Sequence, residues 1–162
     1  MPAYRFCPLC GHALDEFTDH EDRQRLRCVR CGFIHYDNPT PVVAAIVEHN
    51  GEIILAQNKG WPKHFFGLVS GFLEKDEEPA AAALREVEEE LGLAGEVVSF
   101  VGIYTFSMMN QVLLVWHVRA EGEVVLGDEL AAIKRVPPAR LRPWSMGTGK
   151  AVADWLAGRT NL

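Results

Sequence analysis

Gly71-Phe72-Leu73-Glu74-Lys75-Asp76-Glu77-Glu78-Pro79, followed after five residues by Arg85-Glu86-Val87-Glu88-Glu89-Glu90-Leu91-Gly92-Leu93, carries most of what this chain discloses. It reads as a charged loop running into a helix over Pro79–Leu91. Pro79 suits a first helical turn, four alanines and other good helix formers fill the middle, and Gly92 stops it. Placing Glu86 at zero on a wheel of about 100° per residue puts Glu89 at about 300° and Glu90 at about 40°. The three carboxylates thus share one arc. Leu84, Val87 and Leu91 fall at about 160°, 100° and 140°, a separate apolar stripe able to pack on a sheet. Arg85 falls beside Glu89. Like charges so placed repel by a few tenths of a kcal/mol per pair, roughly. A divalent cation turns that repulsion into a ligand set, and Mg²⁺ or Mn²⁺ prefers oxygen donors.

On either side of this segment the pattern is that of short strands. Val42–Val47 is an apolar run, Asn50-Gly51 is a two-residue hairpin turn, and Ile53–Ala56 returns as its partner. Further strands are expected at Leu68–Leu73, Val97–Tyr104 and Gln111–Ala120. Pro137-Pro138 breaks the chain, and a short closing helix is expected over Lys150–Leu156, ended by Gly158. The order of strands, helix, strands, helix predicts an α/β layered domain with a mixed sheet. Upstream, Asp37-Asn38-Pro39-Thr40-Pro41 interrupts regular structure and marks a boundary, giving expected domains of residues 1–38 and 39–162.

The first of these domains is organised by cysteine. Cys7-x-x-Cys10 and Cys28-x-x-Cys31 enclose 17 residues, the spacing of a four-cysteine zinc site. Gly11 and Gly32 follow the second cysteine of each pair, where a residue without Cβ lets the turn close. With four thiolates the tetrahedron is full, so the Zn²⁺ is expected to be structural. His12 is a spare ligand type, read as a surface residue. Two reduced pairs in a small core, or a redox pair, are the alternatives.

The 162 residues suit one main domain with a small appendage, and 48% hydrophobic with 23% charged residues is a globular balance. No apolar run reaches the ~18 residues of a membrane span, and Met1–Cys10 lacks a signal-peptide core, so a cytoplasmic protein with no membrane partner is expected. A net charge of −6 argues against general nucleic-acid binding. It leaves room for a small phosphorylated substrate, because bound cations reverse the local sign.

The helix segment resembles the Nudix box, G-x5-E-x7-R-E-U-x-E-E-x-G-U, at every defined position: Gly71, Glu77, Arg85, Glu86, Val87, Glu89, Glu90, Gly92 and Leu93. The resemblance covers residues 40–140. It implies an α/β/α sandwich, here preceded by a zinc ribbon, and metal-dependent hydrolysis of nucleoside diphosphates linked to another moiety. It further implies that Glu86, Glu89 and Glu90 hold divalent ions, with the Ser70 carbonyl as a further ligand and a glutamate such as Glu89 available as general base. Arg85 and Glu77 would orient the loop and the glutamates.

A cysteine ribbon before such a domain is similar to the NADH pyrophosphatase branch. In that branch aromatics at the places of Tyr36 and Phe72 sandwich a base, and a downstream glutamate, here Glu129, joins the metal site. The branch's SQPWPFPxS motif is replaced here by Tyr104-Thr105-Phe106-Ser107-Met108-Met109-Asn110-Gln111. Ribbon plus compact domain is also similar to plant-type FAD or ADP-ribose pyrophosphatases. The resemblance implies a small nucleotide substrate such as NADH, FAD or ADP-ribose, and a homodimer if Tyr36 and Phe72 act from different subunits. The alternative is a nucleotide-sensing module whose ribbon binds nucleic acid or protein. His64 is read as a loop residue, His117 as packed in its strand, and Trp144 as an anchor for the C-terminal segment.

Overall fold

The computed structural model describes residues 4–159, which form two compact units divided between Pro39 and Thr40. In the first unit, β1 (Asp15–Thr18), β2 (Gln24–Arg27) and β3 (Ile34–His35) make a three-stranded antiparallel sheet in that order. The charged stretch from Asp19 to Arg23 is the β1–β2 turn, and Arg25 lies in β2. The Asp19 carboxylate accepts the backbone N–H groups of Glu21 at 2.9 Å and Arg23 at 3.0 Å, and pairs with the Arg25 guanidinium at 3.1 Å. The Arg23 amide first, then the Glu21 amide and the Arg25 guanidinium, outweigh burial and hold this carboxyl at about 2.

The second unit is built on a six-stranded mixed sheet. Its strands are β4 (Thr40–His49), β5 (Glu52–Asn58), β6 (Val69–Phe72), β7 (Ala94–Phe106), β8 (Gln111–Glu121) and β9 (Leu130–Val136). The order is β7-β8-β4-β5-β9, with β6 paired to the first half of β4. β4 and β8 are parallel, and the other pairings are antiparallel. β4 lies at the centre and is buried along most of its length, which accounts for its unbroken apolar run.

Helix α1 (Pro79–Leu91) packs on one face and α2 (Gly149–Arg159) on the other. On the first face Ala82, Ala83, Val87 and Leu91 of α1 meet Val43, Ala45, Val47 and Val118. On the second, Ala151, Val152 and Trp155 of α2 meet Ala44, Ile46, Leu113 and Val115. The alternation of strand side chains divides the residues of β4 and β8 between these two cores. This is an α/β/α sandwich with a mixed sheet, as the sequence suggested.

Three details differ from the sequence reading. The edge strand β9 has no strict apolar alternation and is defined by its pairing with β5. β7 starts at Ala94 rather than Val97, and two register shifts against β8 absorb its extra length. Helix α2 continues through Gly158, which takes no left-handed conformation and so does not stop it.

Candidate active site

Helix α1 begins without a side-chain cap, on Pro79, and ends at Gly92, whose φ of 65° lets its N–H close back on the Glu88 carbonyl at 2.8 Å. Between these stops it aims its acidic arc into a cavity of about 820 Å³. Ser70, Gly71, Phe72, Arg85, Glu86, Glu89, Glu90 and Glu129 all line that cavity.

Arg85 fastens the loop to the helix. Its guanidinium donates to Glu77 at 2.7 and 3.1 Å, to Glu86 at 2.7 Å, to Glu89 at 3.0 Å and to the Phe72 carbonyl at 3.2 Å. Arg85 holds the Glu77 carboxyl below its ordinary range, and the Glu77 and Glu86 carboxylates raise the guanidinium's already high affinity for its proton.

Gly71 is what lets Glu86 into place. A Cβ at residue 71 would sit 2.1 Å from the Glu86 carboxylate, on the α1 side of the sheet. Burial raises the Glu86 carboxyl above its normal range, and Glu89 and Glu129 add to the rise against the pull of Arg85. Glu90 is 6% exposed, and one of its carboxylate oxygens, Oε2, is buried without a hydrogen-bond partner among the described residues. Burial first, then the charges of Glu86, Glu129 and Glu89, push it up to about 8.

An orphaned oxygen facing further carboxylates is costly unless a cation or proton neutralises the set. The donors are all hard oxygens, so the chemistry fits Mg²⁺ or Mn²⁺ rather than a softer ion.

Glu129 reaches this cluster through a device the sequence reading missed. The β8–β9 loop lies against the end of α1: Val125 N–H donates to the Leu91 carbonyl and Gly127 N–H to that of Glu90, both at 2.9 Å. A Cβ on Gly127 would meet the Glu89 carbonyl at 2.3 Å. The glycine therefore permits the close approach that carries Glu129 in. The signal was present in Gly127-Asp128-Glu129, but only the glutamate was read from it.

Other wall residues also went unread. Asn58, Trp61, Phe65, Phe106, Gln111, Trp144 and Met146 line the cavity, and no spacing rule joins them. Gln57 holds the 58–67 loop by donating to the Pro62 and Phe65 carbonyls at 2.9 and 3.2 Å. His64 in that loop is exposed and outside the cavity wall. His117 is packed, with Nε2 2.9 Å from Glu48 and its ring edge-on to Trp155. Trp144 packs against the α2-side core and also faces the cavity. Phe72 is 57% exposed.

In the first unit the four cysteines come together, their Sγ atoms all within 4.8 Å of one another and the closest pairs 3.5 Å apart. A tetrahedron with Zn–S bonds of about 2.3 Å has edges of about 3.8 Å, so the cluster is of the right size. Both turns have the same form. Gly11 N–H donates to the Cys7 carbonyl and Gly32 N–H to that of Cys28, each at 2.9 Å, with φ of 69° and 79°.

Burial raises the Cys28 thiol, but the amides of Cys31 and Arg30 overcome it and hold it at about 7. The Phe33 amide favours the Cys31 thiolate, yet its three sulfur neighbours, Cys7 foremost, push it to about 12. Four thiolates this close require a cation among them. His12 is exposed. Tyr36 is 51% exposed, with the Arg25 guanidinium 5.3 Å from its ring centre.

Residues 38–155 match the NUDIX domain and residues 5–37 the Nudix N-terminal zinc ribbon, and the chain belongs to the Nudix family. Among curated relatives it is 27% identical over 122 residues to a protein of Pseudomonas aeruginosa named NAD-capped RNA hydrolase NudC, covering 75% of this chain and 43% of that one. It is 25% identical over 155 residues to the Pseudomonas putida protein of the same name, covering 94% and 54%. The chain thus spans about half the length of the curated relatives it matches. A NUDIX hydrolase from Nitrosomonas europaea shares the fold over 98% of this chain and 93% of its own, with a TM-score of 0.81 at 22% identity. An ADP-ribose pyrophosphatase from Streptococcus suis shares it over 75% and 92%, with a TM-score of 0.62 at 21% identity. Among the described residues no helix is long and apolar enough to cross a membrane.

Proposed function

We propose that the chain hydrolyses the pyrophosphate bond of a nucleoside diphosphate linked to a second moiety, with a dinucleotide or ADP-ribose as substrate. The observation that carries this reading is the convergence of Glu86, Glu89, Glu90 and Glu129 in one cavity, with a buried oxygen of Glu90 left unpaired. These glutamates, with the Ser70 carbonyl, would hold Mg²⁺ or Mn²⁺. Such ions, when bound, neutralise pyrophosphate charge and acidify the attacking water.

The chain's own part is positioning and proton transfer. Arg85 and Glu77 lock the loop over Gly71 against α1, and Arg85 keeps Glu86 and Glu89 from splaying apart. A glutamate of the set, Glu89 being the exposed one of the three on α1, takes the proton of water as it attacks phosphorus. The bridging oxygen leaves with one phosphate as the P–O–P bond breaks. The exposed ring of Phe72 at the cavity supports stacking of a planar base, and Tyr36 offers a second exposed aromatic face. The relatives' name supports the dinucleotide reading. A dinucleotide joined to RNA presents the same pyrophosphate, so capped RNA belongs in the panel even though the net charge argues against general nucleic-acid binding.

Zn²⁺ at Cys7, Cys10, Cys28 and Cys31 is read as structural. A homodimer is supported by the edge strand β7, which exposes Val97, Val98, Phe100 and Ile103. The test is product identification with NADH, FAD, ADP-ribose, NAD-capped RNA and deoxynucleoside triphosphates, with Mg²⁺ or Mn²⁺ supplied. Release of a nucleoside monophosphate from a two-headed substrate is expected. Turnover of triphosphates alone, or none with tight RNA binding, overturns the reading and favours a sensor.

A further inference from the structure

The cavity does not stop at the glutamates. β6 is only four residues long, and its side chains alternate between the two sheet faces. Gly71 pairs with Val43 and faces α1, where Glu86 lies. Phe72 pairs with Val42, which in turn pairs with Leu113, and these three face α2. Gln111, two residues before Leu113, points to the same side. The cavity therefore passes the end of β6 and opens onto a second wall.

That wall is formed by Phe106, Met109, Gln111, Leu113, Trp144 and Met146. Five of the six are apolar, and three lie on segments packed against the α2-side core: Phe106, Leu113 and Trp144. The Phe106 ring rests 3.5 Å from the place a Cβ on Gly147 would occupy, so the 143–149 loop is seated on β7. Met109 and Met146 are about half exposed and able to adapt their shape to a flat ligand. Within this wall Gln111 alone of the six carries a polar side chain. Among the described residues its amide hydrogen-bonds no other group of the chain.

An apolar slot with one free amide selects a flat heterocycle with one donor–acceptor edge. A glutamine amide matches the N6–H donor and N7 acceptor of adenine. Guanine would bring further exocyclic polar groups into a wall with too few partners, and unpaired buried polar groups are penalised. We propose that this wall is an adenine subsite on the α2 side of the sheet, and that Gln111 is its specificity-determining residue. The proposal rests on the pyrophosphatase reading for what the base is attached to, not for the binding itself.

Two measurements on the full chain test it. Calorimetric titration of AMP, GMP and UMP into metal-free protein reads the subsite without catalysis. AMP is expected to bind tightest, and Q111L to lose at least about 5-fold of that preference, the lower end for a paired base edge. The second is the ratio of kcat/KM for ADP-ribose to that for UDP-glucose, which Q111L should lower by about 5- to 140-fold. Gln111 is half-buried at the first position of β8, and a melting curve checks that Q111L folds.

Equal binding of the three monophosphates by the unaltered protein overturns the subsite. So does ADP-ribose turnover whose ratio Q111L leaves unchanged, in which case the pyrophosphatase reading stands. If instead AMP is preferred through Gln111 but no pyrophosphate is cleaved, the subsite stands and the reaction falls.

Discussion

Replacing Gly71 by alanine separates the role of this residue in catalysis from any role in stability. Its backbone does not require glycine, since its φ is not positive. The added methyl carbon would lie 2.1 Å from the Glu86 carboxylate, whereas ordinary contact begins at about 3.4 Å. The carboxylate must therefore retreat by about 1.3 Å. It sits at the end of a flexible side chain, so the fold accommodates this with a loss of about 1 kcal/mol, the low end for overpacking. Activity does not, because a misplacement of about 1 Å in a reacting constellation costs roughly 100-fold, or about 2.7 kcal/mol of transition-state stabilisation. The expected G71A protein melts near the parent temperature, requires more Mg²⁺ for half-maximal rate, and turns over its best substrate about two orders of magnitude more slowly. Parallel melting curves and Mg²⁺ titrations of the rate read this out. An unchanged rate and Mg²⁺ dependence in G71A would show that Glu86 has no positional role, and the reasoning from the Gly71 contact would be refuted.

Three other outcomes are expected. Glu90→Gln should nearly abolish turnover at saturating Mg²⁺. In metal-free protein it should also flatten the pH dependence of stability: a carboxyl raised to about 8 destabilises the fold increasingly as pH rises from about 4.5 to about 8, and Gln removes that contribution. Melting temperatures of both proteins at pH 6 and pH 8 test this, and a steeper decline in the variant contradicts it. Freshly purified, reduced protein should contain about one zinc per chain by elemental analysis; finding none removes the ribbon metal. Phe72→Ala should raise KM for a dinucleotide about 5-fold or more with little loss of kcat, because stacking worth ~1–3 kcal/mol binds ground and transition states alike. An unchanged KM takes Phe72 out of the substrate site.

What the sequence disclosed was whatever depends on spacing along one element. The arc of Glu86, Glu89 and Glu90 follows from helical geometry, and helix α1 has the bounds its proline and glycine announce. The paired cysteines likewise act through short, local turns. What remained hidden depends on the assembly of distant segments. Trp144 packs in the second core as well as facing the cavity, a double role that no local pattern encodes. Gly127 matters because of a carbonyl 38 positions earlier in the chain, on Glu89. β9 is a strand because β5 offers it an edge, not because Leu130–Val136 alternates.

The short strand β6 has a consequence for how such a chain diversifies. Its four residues are shared between two tasks by alternation: Gly71 belongs to the ionic side, and Phe72 to the side where a base would be read. The two sides share the backbones of β4, β6 and β8 and otherwise draw on different helices and loops. Substitutions in the 106–113 and 143–149 segments can therefore accumulate without moving a glutamate. A lineage built on this frame can exchange one substrate for another while its reaction stays the same.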